Sequence, residues 1–306
     1  MRKKILLAIL IVLVLMWFGE QKIIRINANA NMKYLYDHFT GKEELVNTKG
    51  TFYETYMSHD HYVANKWEQY LHIYDKVLAP FIVANKPVNL LEIGVQNGGS
   101  LEVFADYLPK GSKITGIDID EKCANLKFGK NINLIIGDGT DKKVIDKYFS
   151  KSKFDIIVDD GSHINEHVIK SFEELFPKLN YGGLYIVEDV HTSYWKNYYH
   201  GGYKKSTSTM EYFKNLIDSL NYLYIPNFPI NTKLSDIIKL RKMNKEIASI
   251  TFYDSVIIIE KYSKPKTRPF KNYYAGREGI IVSPESFERG RDINCNKKTK
   301  FEKFYR

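Results

Sequence analysis

The chain predicts an α/β fold, a largely parallel sheet covered by helices on both faces. Three observations carry that expectation. Short apolar runs recur between helical patterns, at Val88–Gly94, Lys113–Asp118, Asn133–Ile136, Phe154–Val158 and Gly183–Val187. A continuous apolar run between helices suits a parallel strand buried on both sides. The first run leads into a glycine turn and a helix, Gly94-Val-Gln-Asn-Gly98-Gly99-Ser100 followed by Leu101–Leu108. Two later runs end in paired acids: Asp159-Asp160-Gly161-Ser162-His163 after the fourth, Glu188-Asp189 after the fifth. Ligands of open α/β sheets bind beyond the carboxyl ends of the strands, so these tips are where chemistry is expected.

In chain order, residues 1–30 read as a signal anchor or signal peptide. Arg2, Lys3 and Lys4 precede an apolar run from Ile5 to Phe18, short against the about 17–25 residues of a full span. Ala28-Asn29-Ala30 resembles a cleavage site, but Lys22 and Arg25 separate it from the apolar run. An uncleaved membrane anchor is the expectation, with export after cleavage as the alternative. Residues 31–87 form a helical, aromatic-rich lid region. Within it Lys66–Tyr74 has apolar and aromatic residues at helical spacing, read as packing on the sheet edge or as a wall of a substrate pocket.

Residues 88–262 form the α/β domain. Strand, glycine turn and helix in succession is the arrangement for a cofactor approached closely by backbone and by a helix N-terminus. The spacing is not G-x-G-x-x-G, so a dinucleotide fingerprint is not matched. Asp118 ends the second strand, about 20 residues beyond the glycines, where an acid can bond ribose hydroxyls; Asp120 is the fallback. Asp138 after the third strand either faces an adenine amino group or caps the helix that starts near Asp141. A helix over Asn165–Leu179 carries the apolar stripe Ile164, Val168, Ile169, Phe172 and Leu175. A long connection, 190–246, holds a Gly/Tyr/Ser-rich loop, a helix near Met210–Leu220 and a basic amphipathic piece near Leu234–Met243. Ile250–Asp254 and Ser255–Ile259 close the sheet as an antiparallel hairpin. Residues 263–306 are a basic tail without clear periodicity.

Composition bounds the function. The 306 residues are 44% hydrophobic and carry a net charge of +9, enough for one large domain with extensions. Lys and Arg are spread along the chain, which suits a solvated surface before an anionic-lipid or glycan-binding one. No zinc-finger, RNA-recognition or basic helix-turn-helix pattern occurs, so nucleic acid is not an expected partner. The two cysteines, Cys123 and Cys295, have no metal spacing, and a reduced compartment is the simpler reading.

Glu92-Ile-Gly94, Gly98-Gly99-Ser100, Gly116-Ile-Asp118 and Gly137-Asp138 together resemble a class I S-adenosylmethionine (SAM) methyltransferase. Asp159–His163, Val187-Glu188-Asp189 and Thr192-Ser193-Tyr194-Trp195 sharpen this. They are similar to the metal-dependent sugar O-methyltransferases of macrolide biosynthesis, the mycinamicin type, and more distantly to the cephalosporin-hydroxylase and rhamnosyl O-methyltransferase group. The resemblance runs from about Lys66 to Lys261. It implies a Rossmann-like seven-stranded sheet and a site holding Mg²⁺ beside SAM. It makes Asp160, Glu188 and Asp189 the metal ligands and His163 the general base. Around SAM it places Glu92, Gly94, Gly98, Ser100 and Asp118, and Gly99 and Asp138 join them as cofactor-binding candidates. It also suggests a homo-oligomer.

The residue chemistry suits that reaction. Mg²⁺ takes oxygen ligands, coordination activates a hydroxyl whose own pKa is far above neutral, and a histidine within reach takes the proton. Two adjacent hydroxyls can chelate the ion, so a vicinal diol on a small-molecule or glycan acceptor is the favoured substrate. A glycolipid or polysaccharide precursor would suit a membrane anchor, with the catalytic domain on the cytoplasmic side where SAM is found. A catechol-like phenol is the competing acceptor. An inactive membrane-associated scaffold is the non-enzymatic reading; its expected mark, a missing ligand or base, is not found.

Overall fold

The structure is a computed structural model that describes residues 50–225, 227–267 and 270. The hydrophobic segment 1–30, residues 31–49 of the lid region, most of the basic tail and Cys295 lie outside the described residues. Among the described residues no helix is long and apolar enough to cross a membrane.

Seven strands form one sheet: β1 (Asn89–Ile93), β2 (Lys113–Asp118), β3 (Ile132–Ile136), β4 (Phe154–Asp159), β5 (Leu179–Val187), β6 (Ile247–Phe252) and β7 (Ile257–Lys261). Their spatial order is β3-β2-β1-β4-β5-β7-β6. The first five strands are parallel, and β7 pairs antiparallel with both β5 and β6. The hairpin read from Ile250–Ile259 is present, shifted by a few residues.

The period of two sorts the strand side chains into two cores. Leu90, Ile114, Ile156, Val158, Ile186 and Ile258 face one side, with α2 (Glu68–Ala84) and α3 (Gly99–Tyr107). Leu91, Ile93, Ile117, Ile157, Tyr185, Val187, Ile257 and Ile259 face the other, with α4 (Lys142–Phe149), α5 (Asn165–Leu175) and α6 (Thr209–Leu220). The aromatic helix α2 therefore covers a face of the sheet rather than its edge: Tyr70, Tyr74 and Leu78 are buried with the central strands. Ahead of it, α1 (Phe52–Met57) docks through Phe52, whose backbone N–H donates to Asp75 and whose ring stacks on Tyr74 with centroids 4.8 Å apart.

Helix α5 stops at Leu175, not Leu179. Pro177 follows and has no N–H to continue the ladder, so Phe176–Lys178 tightens into a 3₁₀ turn and β5 begins at Leu179. The basic amphipathic piece is α7 (Leu234–Glu246).

The chain steps outward from β1 to β2 and β3, then returns to place β4 on the other side of β1. The crevice of such a sheet opens where the order reverses, between the carboxyl ends of β1 and β4. Backbone bonds continue past the strand ends and fix the tips: Gly94 N–H donates to Ile117 (2.9 Å), Asp160 N–H to Ile93 (3.0 Å) and Glu188 N–H to Asp159 (3.0 Å).

Candidate active site

Four acids and a histidine gather at this crevice, and a fifth acid, Asp159, lies beneath it. Asp159 is the last residue of β4 and points inward. Its carboxylate accepts from Ser171 and from the Tyr185 hydroxyl (3.1 Å). Burial pushes it up to about 6 against those hydrogen bonds. Asp159 thus ties α5 and β5 to β4 and does not reach the crevice.

Asp160, His163 and Asp189 face outward, their side chains 23%, 19% and 24% exposed. His163 Nε2 lies 3.8 Å from Asp160 Oδ1 and 3.5 Å from Asp189 Oδ2. One ligand atom from each of the three lies within 4.8 Å of the others, a group of the kind that holds a metal ion. Both His163 (φ 56) and Asp189 (φ 52) adopt left-handed backbone, uncommon for residues with a side chain and concentrated at functional sites. His163 Nδ1 is buried without a hydrogen-bond partner, while its carbonyl accepts from Thr192 Oγ1 (3.2 Å).

Behind this open group lies a buried floor of Glu92, Glu188 and Lys66. The Lys66 ammonium donates to both Glu188 oxygens (2.8 Å each) and to Asp160, and is 3.9 Å from Glu92. Burial opposes its charge, but Asp160 and Glu188 hold its pKa well above the ordinary lysine value. Glu188 also accepts from the Tyr74 hydroxyl. Burial, then the charge of Asp160, push Glu188 up to about 8 despite Lys66. Glu188 therefore belongs to the cluster with both oxygens engaged by groups of this chain.

Lys66 was not among the residues singled out as site candidates, nor were Tyr70, Tyr74, His191 and Ser255. The Tyr70 hydroxyl donates to Asp189 (2.6 Å) and lies 2.9 Å from Ser255 Oγ, which is 2.5 Å from His191 Nδ1. The available signal was the i, i+4 pair Tyr70/Tyr74, which puts two hydroxyls on one helix face. Beyond His191 the rings continue outward: Trp67 and Trp195 meet it edge-on at 5.7 and 4.8 Å, and Tyr199 meets Trp195 at 5.5 Å. Trp67, Tyr194 and Trp195 are exposed.

The nucleotide-side candidates line the turn from β1 into α3. Gly94 and Gly98 both have φ +88, and a Cβ on Gly94 would strike the Asp160 carbonyl. Only glycine brings the turn this close to the β4 tip. Gly99 gives the same close approach to the backbone of Tyr62 to Ala64. Ser100 Oγ donates to Glu92 (2.7 Å), and burial raises Glu92 to about 7 against the pull of Lys66. The other Glu92 oxygen is buried without a hydrogen-bond partner. Asp118 accepts from the backbone N–H of Val95 (2.7 Å), Gln96 (3.0 Å) and Asp120 (2.8 Å). Burial would raise its pKa, but these donors win and lower it. Asp138 accepts from Thr140 N–H (2.8 Å), and the residue capping α4 is Asp141. Cys123 is buried and free, its thiol pushed up to about 11 by burial and by Asp118.

The donor set fits a hard cation. Glu92, Asp160, Glu188 and Asp189 offer carboxylate oxygens at one crevice, and one Glu92 oxygen is buried there without a hydrogen-bond partner.

Strand order, glycine turn and acid-tipped β4 and β5 define a class I methyltransferase fold, and comparison with known proteins agrees. Residues 91–190 match the family model of a methyltransferase domain. The chain is 31% identical over 209 residues to 8-demethyl-8-alpha-L-rhamnosyl tetracenomycin-C 2'-O-methyltransferase of Streptomyces olivaceus, covering 65% of this chain and 52% of that protein. It is 34% identical over 189 residues to Mycinamicin VI 2''-O-methyltransferase of Micromonospora griseorubida, covering 58% and 44% respectively. The solved structure of MycE methyltransferase from the mycinamycin biosynthetic pathway, in complex with Mg, SAH and mycinamycin VI, matches with a TM-score of 0.58 and 27% identity, over 74% of this chain and 58% of that one. The chain has a class I methyltransferase fold and is similar to macrolide and tetracenomycin sugar O-methyltransferases, spanning about half the length of the curated relatives it matches.

Proposed function

We propose that the protein is a Mg²⁺- and SAM-dependent O-methyltransferase acting on a sugar hydroxyl, with a glycosylated small molecule, glycolipid or polysaccharide precursor as acceptor. The observation that carries this is the outward-facing group Asp160, His163 and Asp189 beside a glycine turn that leaves room for backbone contact with a cofactor. When bound, SAM supplies the methyl group, its carbon–sulfur electron pair leaving on sulfur, and Mg²⁺ supplies positive charge against the ionising hydroxyl.

The remaining work falls to the chain. Asp160 and Asp189 would hold the cation, with Glu188 behind them. His163 Nε2 faces the same point and accepts the hydroxyl proton. Tyr70 fixes Asp189. Gly94, Gly98, Gly99, Ser100 and Glu92 would seat the cofactor, with Asp118 toward its ribose and Asp138 toward its adenine. Trp67, Trp195 and His191 offer ring faces and edges of the kind that pack against the apolar face of a sugar. Positioning of hydroxyl and methyl supplies much of the rate.

Isothermal titration of SAM into the full chain, with and without Mg²⁺, tests the reading, together with Mg²⁺ titrations of the wild type and Asp160→Ala. SAM binding, and Mg²⁺ binding lost in the variant, are expected; His163→Ala should retain both and lose methyl transfer by about 10²-fold or more. Absence of SAM binding in folded protein would overturn the enzyme. SAM binding without Mg²⁺ binding would discard the metal site and the role of His163 that depends on it.

We also propose that residues 1–30 anchor the protein to a membrane with the domain on the cytoplasmic side. A domain digested by protease added outside intact cells would reverse that placement. The homo-oligomer suggested by the resemblance belongs with these proposals.

A further inference from the structure

We infer that Lys66 is a resident cation, displaced when a divalent ion binds Glu188, and that it latches the segment 58–67 onto the carboxylate floor until then. This rests on the metal reading above. Lys66 is the only cation within bonding reach of Asp160 and Glu188 among the described residues, with its side chain 2% exposed. Its Nζ contacts both Glu188 oxygens and Asp160, two of the acids that would hold a metal ion. An ammonium and a metal ion cannot occupy the same oxygens. Side by side in a buried pocket they would also repel strongly. Binding through Glu188 therefore requires Lys66 to leave.

The position of Lys66 in the chain gives its departure a consequence. It ends a strap between α1 and α2, just before Trp67 at the start of α2. The rest of the strap is held on the nucleotide side. His61 Nδ1 bonds Glu102 (2.9 Å), the Tyr62 ring meets Phe128 edge-on at 5.6 Å, and the backbone of 62–64 lies against Gly99. One segment thus touches the glycine turn at one end and the carboxylates at the other. Exchange of Lys66 for a metal ion frees the second contact and leaves the first in place. Metal binding is in this way linked to the cover over the cofactor turn.

The test uses the full wild-type chain. Lysines are acetylated with a water-soluble acetylating reagent in EDTA and in Mg²⁺ at concentrations shown by calorimetry to saturate the protein, and Lys66 is followed by peptide mass spectrometry. Displacement predicts a rise in Lys66 labelling of about tenfold or more, the scale of opening a protected site, while exposed lysines such as Lys110 and Lys130 do not change. Lys66→Met removes the competitor and should tighten Mg²⁺ binding by about tenfold, as when the binding-competent state no longer has to be selected. Lys66 protected at saturating Mg²⁺, or weaker Mg²⁺ binding in Lys66→Met, would overturn the displacement and leave the metal site standing. Absence of Mg²⁺ binding in both proteins would overturn the metal reading and this inference together. If Lys66→Met does not fold, the wild-type labelling decides alone.

Discussion

Single residues divide the site into parts that bind and parts that hold. Asp189 sits in left-handed backbone at the end of β5, so its direction depends on what grips the side chain. That grip is the Tyr70 hydroxyl, 2.6 Å from Oδ1. Removing a partner that orients a metal ligand commonly costs about 10–100-fold in affinity or activity. Tyr70→Phe is expected to weaken Mg²⁺ binding by about tenfold and leave SAM affinity unchanged, both read by calorimetry. Unchanged Mg²⁺ binding would place Asp189 outside the cation site. At this scale the sequence was only partly legible. Acids at strand tips stand out because they interrupt apolar runs. Lys66 does not, because its partners Asp160 and Glu188 lie 94 and 122 residues along the chain. Nothing local to Asn65-Lys66-Trp67 marks a buried ammonium.

The elements themselves were legible wherever periodicity decided them. All seven strands and the helices α2, α3, α5 and α6 follow apolar runs or stripes that are then buried on one face of the sheet or the other, whereas α7 buries only Met243 of its apolar residues. Boundaries were less so: α5 ends four residues early because Pro177 is a backbone effect outside the side-chain pattern. The segments without periodicity carry much of the site. The strap 58–67 has no repeat to read. The loop after β5 is shaped by pairings of distant residues, with Asn165 on α5 donating to Tyr199 (2.6 Å) and accepting from Thr209 N–H (2.6 Å). Inside the loop, Gly201 N–H donates to Trp195 (2.7 Å) and Gly202 N–H to Ser193 (2.8 Å). These bonds turn the chain back on itself and hold Trp195 outward beside His191, so the aromatic wall is a product of tertiary closure and not of local preference.

For the whole molecule, concentrating acids at one crevice sets how stability responds to pH. Glu92 is fully buried and its pKa rises from 4.5 to about 7, driven by burial and opposed by Lys66. The native state therefore holds the proton more tightly than the unfolded chain. The stabilisation is complete below the unfolded value and is lost as pH rises through about 7. Asp159, raised to about 6, and Glu188, raised to about 8, act with the same sign. Asp118, lowered by its backbone donors, acts in the opposite sense, its contribution lost as pH falls. Asp75 is raised by burial as well, and the Asp118 contribution does not change above its ordinary value, so the protein in EDTA is expected to lose stability between about pH 4.5 and 8. Glu92 alone accounts for up to about 3 kcal/mol of that fall, from about 1.4 kcal/mol per pKa unit. Denaturant titrations at pH 5 and pH 8 should show it, and Glu92→Gln, which cannot ionise, should flatten the difference by about that amount. An equal fall in wild type and variant would mean that the Glu92 proton is not held in the native state, and that Lys66 and Ser100 balance its charge at neutral pH.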